Sequence, residues 1–279
     1  MTIQNFNGLT EDQMRRFVPS IYAEQAHTDR SDKYAFYSTS TALSALEQAG
    51  FVPVMAMQQK SKLPGQIGFG KHLVKLAPSD ELGYRRDEAT NIVLVNSHNA
   101  ACSYLILAGR FRFICENGLI SGDLDSTLRI AHRRNVVEAV VEGTIRIALA
   151  AGRFADELEA WKGVYLTQED KLRLARYAIA ERFDLDMPGE VVEADKPKAL
   201  TVYRPESAIR PTRREDVGDS LYQVFNVVQE HLTRGGSRGI AGISRGHRQA
   251  ARAVTGIDQT IKFNQRLHRL AQEMAAVRG

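Results

Sequence analysis

The stretch from Thr90 to Gly122 constrains the fold most strongly, because its pattern predicts two long paired strands. Ile92 to Val95 is a continuous apolar run, and Cys102 to Ile114 alternates apolar and polar residues as half-buried strands do. A polar turn, Asn96-Ser97-His98-Asn99, separates the two runs, and a compact Cys-Glu-Asn-Gly turn at 115–118 follows the second. The rest of the chain is therefore expected to supply elements that pair with this stretch.

Segments that precede this stretch carry helix and strand signals. Thr10 to Gln13 has the pattern of a capping box at the start of a short helix, and Ser38 to Thr41 is an N-cap cluster before a helix that Gly50 ends. Phe51 to Gln59 and Lys71 to Ala77 read as strands. Together these signals predict an antiparallel meander of about four or five strands behind one helix.

Beyond Gly122 helical patterns dominate, and the glycine-rich stretch from Gly235 to Gly246 is predicted to be a flexible basic loop. We predict an α+β protein, an antiparallel β-meander with packed helices and a helical C-terminal part. Its expected parts are an α/β core with the following helices at 1–186, a Pro-containing linker or extended loop at 187–219, and a basic helical region at 220–279.

Composition excludes several classes of protein. No apolar run has the length of a membrane span and the N-terminus lacks the apolar core of a signal peptide, so we expect a soluble, cytoplasmic protein. The two cysteines form no CxxC pair, the seven histidines are scattered, and no Gly-Lys-Ser/Thr sequence is present. We therefore expect no metal, no cofactor and no nucleotide-binding loop.

Clustered cations provide the strongest functional signal. Arg110 and Arg112 lie two residues apart in a predicted strand, so they share one face of it. Lys71 and Lys75, four residues apart, share one face of another predicted strand. Positive charge also concentrates at residues 204–279, which contain 13 Lys and Arg against 7 Asp and Glu, a net of 13 − 7 = +6. Phosphate backbones are bound by such clusters. The predicted nucleic-acid-binding residues are Lys60, Lys62, Lys71, Lys75, Arg110, Arg112, Arg133 and Arg134.

A catalytic alternative centres on His98, which lies among polar residues and could act with Glu116 and Asn117 in a metal-dependent hydrolase or nuclease. The sequence nominates no orienting acid or nucleophile beside His98. Asn117-Gly118 is also common turn chemistry. We therefore predict no catalytic residue and keep the enzyme as an alternative.

Five strings of the sequence carry a resemblance to a known family. They are Tyr34 to Thr39, Ala49 to Pro53, Lys71 to Leu73, Leu94 to His98 and Gly109 to Leu119. These strings resemble the phage- and plasmid-associated family known as domain of unknown function 932. The resemblance implies a mobile-element context and no settled activity, and the family's Asp after Asn-Ser-His is Asn99 here. More loosely, the predicted order of a helix, a strand meander and a long helix resembles the core of Redβ-type single-strand annealing proteins.

These observations together favour a single-stranded DNA binding and annealing protein of a phage- or plasmid-type mobile element. Binding is expected to be tolerant of sequence, and the protein is expected to act as a homo-oligomer, a ring or a filament. A protein-interaction factor, anti-defence or replication-accessory, is the remaining alternative beside the hydrolase.

Overall fold

The structure, a computed structural model, divides into two compact units, Met1–Ala155 and Asp156–Gly279. The described residues are 2–27, 36–59, 64–82, 89–99, 101–112, 117–120, 127–130, 139–140, 142–143, 146–147, 156–183, 204–235, 238–244, 247–254 and 256–278.

A seven-stranded antiparallel sheet forms the centre of the first unit. Its strands follow the chain in the order β1-β2-β3-β4-β5-β6, and β7 pairs with the other half of β5. The predicted meander and the α+β class are therefore confirmed. The strands are β1 Thr2–Gln4, β2 Phe51–Gln58, β3 His72–Pro78, β4 Ala89–Asn96, β5 Tyr104–Arg112, β6 Asn117–Ile120 and β7 Thr127–Ile130.

Two helices of the first unit begin and end where the sequence signals place them. In α1, Glu11–Phe17, the Thr10 hydroxyl accepts from the Gln13 amide and the Gln13 side chain accepts from the Thr10 amide, which confirms the capping box. Helix α2, Thr39–Gln48, ends before Gly50, whose φ of 88° is the left-handed conformation that glycine adopts without strain.

The first unit buries both faces of its sheet. On one face Val74, Ile92, Leu94 and Ile106 pack in a core with residues of α1 and α2, such as Leu46. The opposite face carries side chains that are also buried, among them Leu73, Val93 and Leu107. This explains why β4 is a continuous apolar run and not an alternating one.

Helix α4 is the central element of the second unit, which contains α3 Gln168–Phe183, α4 Leu221–Thr233 and α5 Ile257–Arg278. Ten of the thirteen residues of α4 are buried, and the three helices contact one another in pairs. Trp161 packs against Phe225 of α4 with ring centroids 5.3 Å apart. Ion pairs join α3 to α5, namely Arg266 with Glu181 and Arg278 with Asp170.

Two paired strands lie at 238–244 and 247–250, where a flexible loop was predicted, so that prediction is wrong. Strands β8 Arg238–Ser244 and β9 His247–Ala250 pair antiparallel, with an irregular register in β8. Arg182 of α3 donates to the carbonyl oxygens of Leu232 (3.1 Å) and Arg252 (3.2 Å). The Val254 amide donates to the Thr233 carbonyl at 2.8 Å, which closes the neck of the hairpin.

The predicted linker at 187–219 falls partly on residues 184–203, outside the described ranges, and remains a prediction. Its described part is not extended, since Pro205–Ala208 forms one helical turn and Arg214–Asp216 a 3₁₀ turn. Helix α3, which was expected in the first part of the chain, belongs to the second unit.

Replacing Gly235 by Ala is expected to destabilise the second unit by more than about 1 kcal/mol. Gly235 has φ of 79°, and a Cβ there would lie 2.9 Å from the Ala251 carbonyl oxygen in the hairpin neck. Urea unfolding followed by the fluorescence of Trp161, the single tryptophan of the chain, measures the effect. Gly65→Ala is the control, because no atom lies within 4 Å of its built Cβ. Equal midpoints for both variants would contradict the steric account.

Candidate functional site

Four buried polar side chains meet where helix α2 and strand β3 begin and strand β4 ends. They are Thr39, His72, Asn96 and His98, and none of them is exposed to solvent. Strand pairing brings them together, since His72 at the start of β3 is the register partner of Asn96 at the end of β4. His98 follows two residues later and Thr39 opens α2.

The Thr39 hydroxyl oxygen is the shared partner of the other three side chains. It lies 2.8 Å from His72 Nε2, 3.3 Å from His98 Nε2 and 2.9 Å from Asn96 Nδ2. The Asn96 side-chain oxygen in turn accepts from the Ser97 amide at 2.8 Å. One hydroxyl therefore joins the first turn of a helix to two neighbouring strands.

The hydrogen bonds fix the protonation of both imidazoles. His72 Nδ1 lies 3.0 Å from the Gly70 carbonyl oxygen, which only accepts, so we assign the proton of His72 to Nδ1. Its Nε2 then accepts from the Thr39 hydroxyl, whose oxygen accepts from Asn96 and from His98 Nε2–H. Burial lowers the pKa of His72 to about 4, which keeps this ring neutral near pH 7.

Backbone bonds and ring contacts hold His98 in place. Its amide donates to the Phe69 carbonyl at 3.0 Å, and its carbonyl accepts from the His27 amide at 3.0 Å. Its ring centroid lies 5.0 Å from that of Phe36 and 5.3 Å from that of His72. His98 thus ties three separate segments of the chain to the end of β4.

The contact between the Thr39 hydroxyl and His72 Nε2 has the geometry of a nucleophile beside its base. Both side chains are buried, and the hydroxyl has its lone pairs and its proton committed to three neighbours. This arrangement exposes no attacking atom to a substrate, so we assign the cluster the role of fixing the helix against the sheet.

Two residues of the enzymatic alternative, His98 and Asn117, lie far apart in the fold. Asn117 begins β6 and pairs with Arg112, at the end of β5 that is remote from His98. The other end of β5 lies beside β4 near Asn96, since Leu105 pairs with Val95, so about 23 Å of strand separates the two positions. Glu116 lies outside the described residues.

Two of the predicted nucleic-acid-binding lysines lie inside the protein. Lys71 is 7% and Lys75 is 6% exposed, so neither forms part of a solvated strand face. Lys75 pairs in register with Met55 on β2 and Val93 on β4. Burial lowers the pKa of Lys75 to about 7.

The two predicted arginines of β5 do not share a sheet face with these lysines. Lys75 pairs with Val93, and Val93 pairs with Leu107, which places those three positions on one face. Alternation along β5 puts positions 110 and 112 on the other face, with Ile106. Positions 110 and 112 and the two lysines therefore lie on opposite faces of the sheet. Their binding of nucleic acid stays a prediction.

The remaining predicted binding residues, Lys60, Lys62, Arg133 and Arg134, lie outside the described residues. Cys102 is a half-buried free thiol, and its backbone amide donates to the Ser97 hydroxyl at 3.0 Å. Within the described ranges no group of three His, Cys, Asp or Glu side chains is placed to hold a metal ion. No helix in that part of the chain is long and apolar enough to cross a membrane.

Sequence reasoning missed the role of Thr39 and His72. Thr39 was interpreted as one residue of an N-cap cluster, and His72 as an ordinary strand position. A usable signal was the string Asn96-Ser97-His98, because polar residues directly after a fully apolar strand require buried partners. The partners themselves come from distant segments that spacing does not reveal.

The comparisons with known proteins cover nearly the whole chain. A family model described as "Domain of unknown function (DUF932)" matches residues 26–268, as the motif resemblance predicted. Two similar proteins of Escherichia coli strain K12 are named UPF0380 protein YafZ and UPF0380 protein YfjQ. Each is 30% identical over 272 residues, which span 98% of this chain and 93% of the relative. No solved structure matches, so the likeness to Redβ-type proteins stays an analogy.

Replacing Thr39 by Val is expected to lower the free energy of unfolding of the first unit by about 1–3 kcal/mol, because buried polar groups lose a shared partner. Urea unfolding followed by far-UV circular dichroism measures the loss. Thr41→Val, at an exposed position of the same helix, is the control. Equal stability of the two variants would show that the shared hydroxyl does not stabilise the helix against the sheet.

Stability is expected to rise between about pH 7 and about pH 9 because of Lys75. Its pKa is lowered on folding, so the unfolded chain binds more protons in this window, and the native state gains about 2 kcal/mol as pH rises. Lys75→Met should remove this gain, whereas Lys262→Met, at an exposed position, should retain it. Urea titrations at several pH values measure the free energy of unfolding of each variant. If its dependence on pH is unchanged in Lys75→Met, Lys75 is not the group responsible.

Proposed function

The chain belongs to the family described as Domain of unknown function (DUF932), and we propose that it binds and anneals single-stranded DNA. In this proposal it acts as a homo-oligomer of a phage- or plasmid-type mobile element and tolerates any base sequence. The family description assigns no activity, so the proposal depends on the chemistry of the chain itself.

The observation that carries the proposal is a surplus of exposed positive charge in residues 204–278. Two of the acidic residues there, Asp216 and Glu230, are buried, and Asp219 pairs with Lys171 of α3. Several exposed cations of the segment enter no ion pair within the described ranges. They are Arg204, Arg210, Arg214, Arg252, Lys262 and Arg269.

Exposed arginines and lysines that enter no ion pair within the described ranges suit a phosphate backbone. Each phosphate that a cation neutralises releases condensed counterions, which favours binding at low salt. Such contacts carry no sequence information, which agrees with the expected tolerance of sequence. The buried Lys71 and Lys75 do not present their charges in this way, so the proposed surface moves from the sheet lysines toward the C-terminal segment.

The meander supports the proposal as an analogy only. Helix α2 followed by strands that pair in chain order repeats the arrangement expected for single-strand annealing proteins. A shared arrangement of elements does not establish a shared function. The analogy does suggest an observable assembly, because annealing proteins of this type form rings or filaments on DNA.

The full chain is expected to bind a fluorescent oligothymidylate with an affinity that falls as salt rises. Fluorescence anisotropy from about 50 to about 200 mM salt gives the slope of log K against log salt, and each phosphate contact adds about 0.7 to it. Electron micrographs with and without the oligonucleotide should show rings or filaments. Absence of binding at physiological salt would refute the proposal and favour the protein-interaction alternative.

A double variant, Arg110→Ala with Arg112→Ala, tests how much the arginines of strand β5 contribute to DNA binding. Loss of two phosphate contacts should reduce the salt slope by about 1.4. An unchanged slope would remove these two residues from the surface and leave the C-terminal segment. Metal-dependent cleavage of DNA by the wild type, lost in His98→Ala, would instead support the hydrolase alternative.

A further inference from the structure

The hairpin β8–β9 is an arm of the second unit with a fixed base. Gly235 turns the chain out of helix α4, and Ala251 to Val254 bring it back against the end of that helix. The guanidinium of Arg182 bridges the two sides through the Leu232 and Arg252 carbonyls. An arm with a clamped base loses less conformational entropy on binding than a flexible loop.

The hairpin sequence is basic without compensation. Residues 234–252 contain five arginines and one histidine but no aspartate or glutamate. Arg234 pairs with Glu230 of α4, so its charge is balanced inside the unit. The other four arginines belong to the two strands, to the connection between them and to the residue pair that follows β9. A concentration of like charge on one element of the sequence favours an anionic partner.

Strand register places two of these arginines on one face. Arg238 pairs with Ala250, and Ala250 and Arg248 are two residues apart on β9, which keeps both positions on the same side of the hairpin. The register of β8 is irregular between Arg238 and Ile243. This irregularity does not change the shared face of Arg238 and Arg248, because that assignment uses only the pair Arg238–Ala250 and the alternation along β9. Glycines 239 and 242 in the irregular part suit such a bulge.

We propose that the β8–β9 hairpin is an arm that binds the phosphate backbone of single-stranded DNA through Arg238 and Arg248. The inference rests on the proposed function and adds the element and the residues that hold the strand. Charge complementarity selects the partner, since a row of arginines without acids fits a polyanion. Arg182 is a positioning residue that fixes the base of the arm and makes no contact with DNA.

The test compares the full chain with two double variants of equal charge change. The first carries Arg238→Ala and Arg248→Ala, and the second carries Arg173→Ala and Arg176→Ala at exposed positions of α3. Anisotropy with a fluorescent oligothymidylate at several salt concentrations gives the slopes. The hairpin variant should lose about 1.4 from the slope, whereas the α3 variant should keep the slope of the wild type.

Two further measurements separate charge from folding. Arg238→Lys with Arg248→Lys retains both charges and should preserve the salt slope, since a lysine ammonium also neutralises a phosphate. Urea unfolding followed by Trp161 fluorescence should give the same midpoint for the alanine variant and the wild type, because Trp161 lies in the core of the unit and not in the arm.

The outcomes distinguish this inference from the proposed function. If the wild type binds and the hairpin variant keeps the full slope, or if both double variants lose it equally, the arm is not the binding element. In either case single-stranded DNA binding by the chain still stands. If the wild type does not bind at physiological salt, the arm and the proposed function are both overturned.

Discussion

The hydroxyl of Thr39 is the contact on which the arrangement of the first unit depends. It joins the start of α2 to the start of β3 and the end of β4, through His72, Asn96 and His98. Around it, backbone bonds of His98 gather the segments that contain Phe69 and His27. Water is excluded from this corner, so each bond is costly to leave unmade and the geometry has little freedom.

Burial of the sheet on both sides decides what its polar residues can do. A half-exposed meander would present Lys71 and Lys75 to solvent, but both faces of the described sheet are covered and the lysines are enclosed. Enclosure converts Lys75 from a binding group into a group whose charge opposes folding. In our proposal the DNA-binding surface therefore lies in the C-terminal segment and its basic hairpin, and not at the sheet lysines.

Signals within a few residues of sequence predicted individual helices and strands correctly. The elements and contacts that sequence reasoning missed depend on residues far apart in the chain. The capping box at Thr10 and the apolar run of β4 determine their own structure over a few residues. The β8–β9 hairpin was missed because its glycines favour a loop, whereas the anchor at Arg182 lies about 50 residues away along the chain. The partners of His98 were missed for the same reason.

The way α3 is held has a consequence for the integrity of the second unit. Glu181, Asp170 and Arg182 connect this helix to α5 and to the hairpin neck, and α4 buries nearly its whole surface between its neighbours. A single cleavage of the backbone between 184 and 203 would therefore separate the chain without separating the unit. The two fragments should remain associated, and halves produced separately should reassemble by complementation, because these bonds join residues on both sides of the cut.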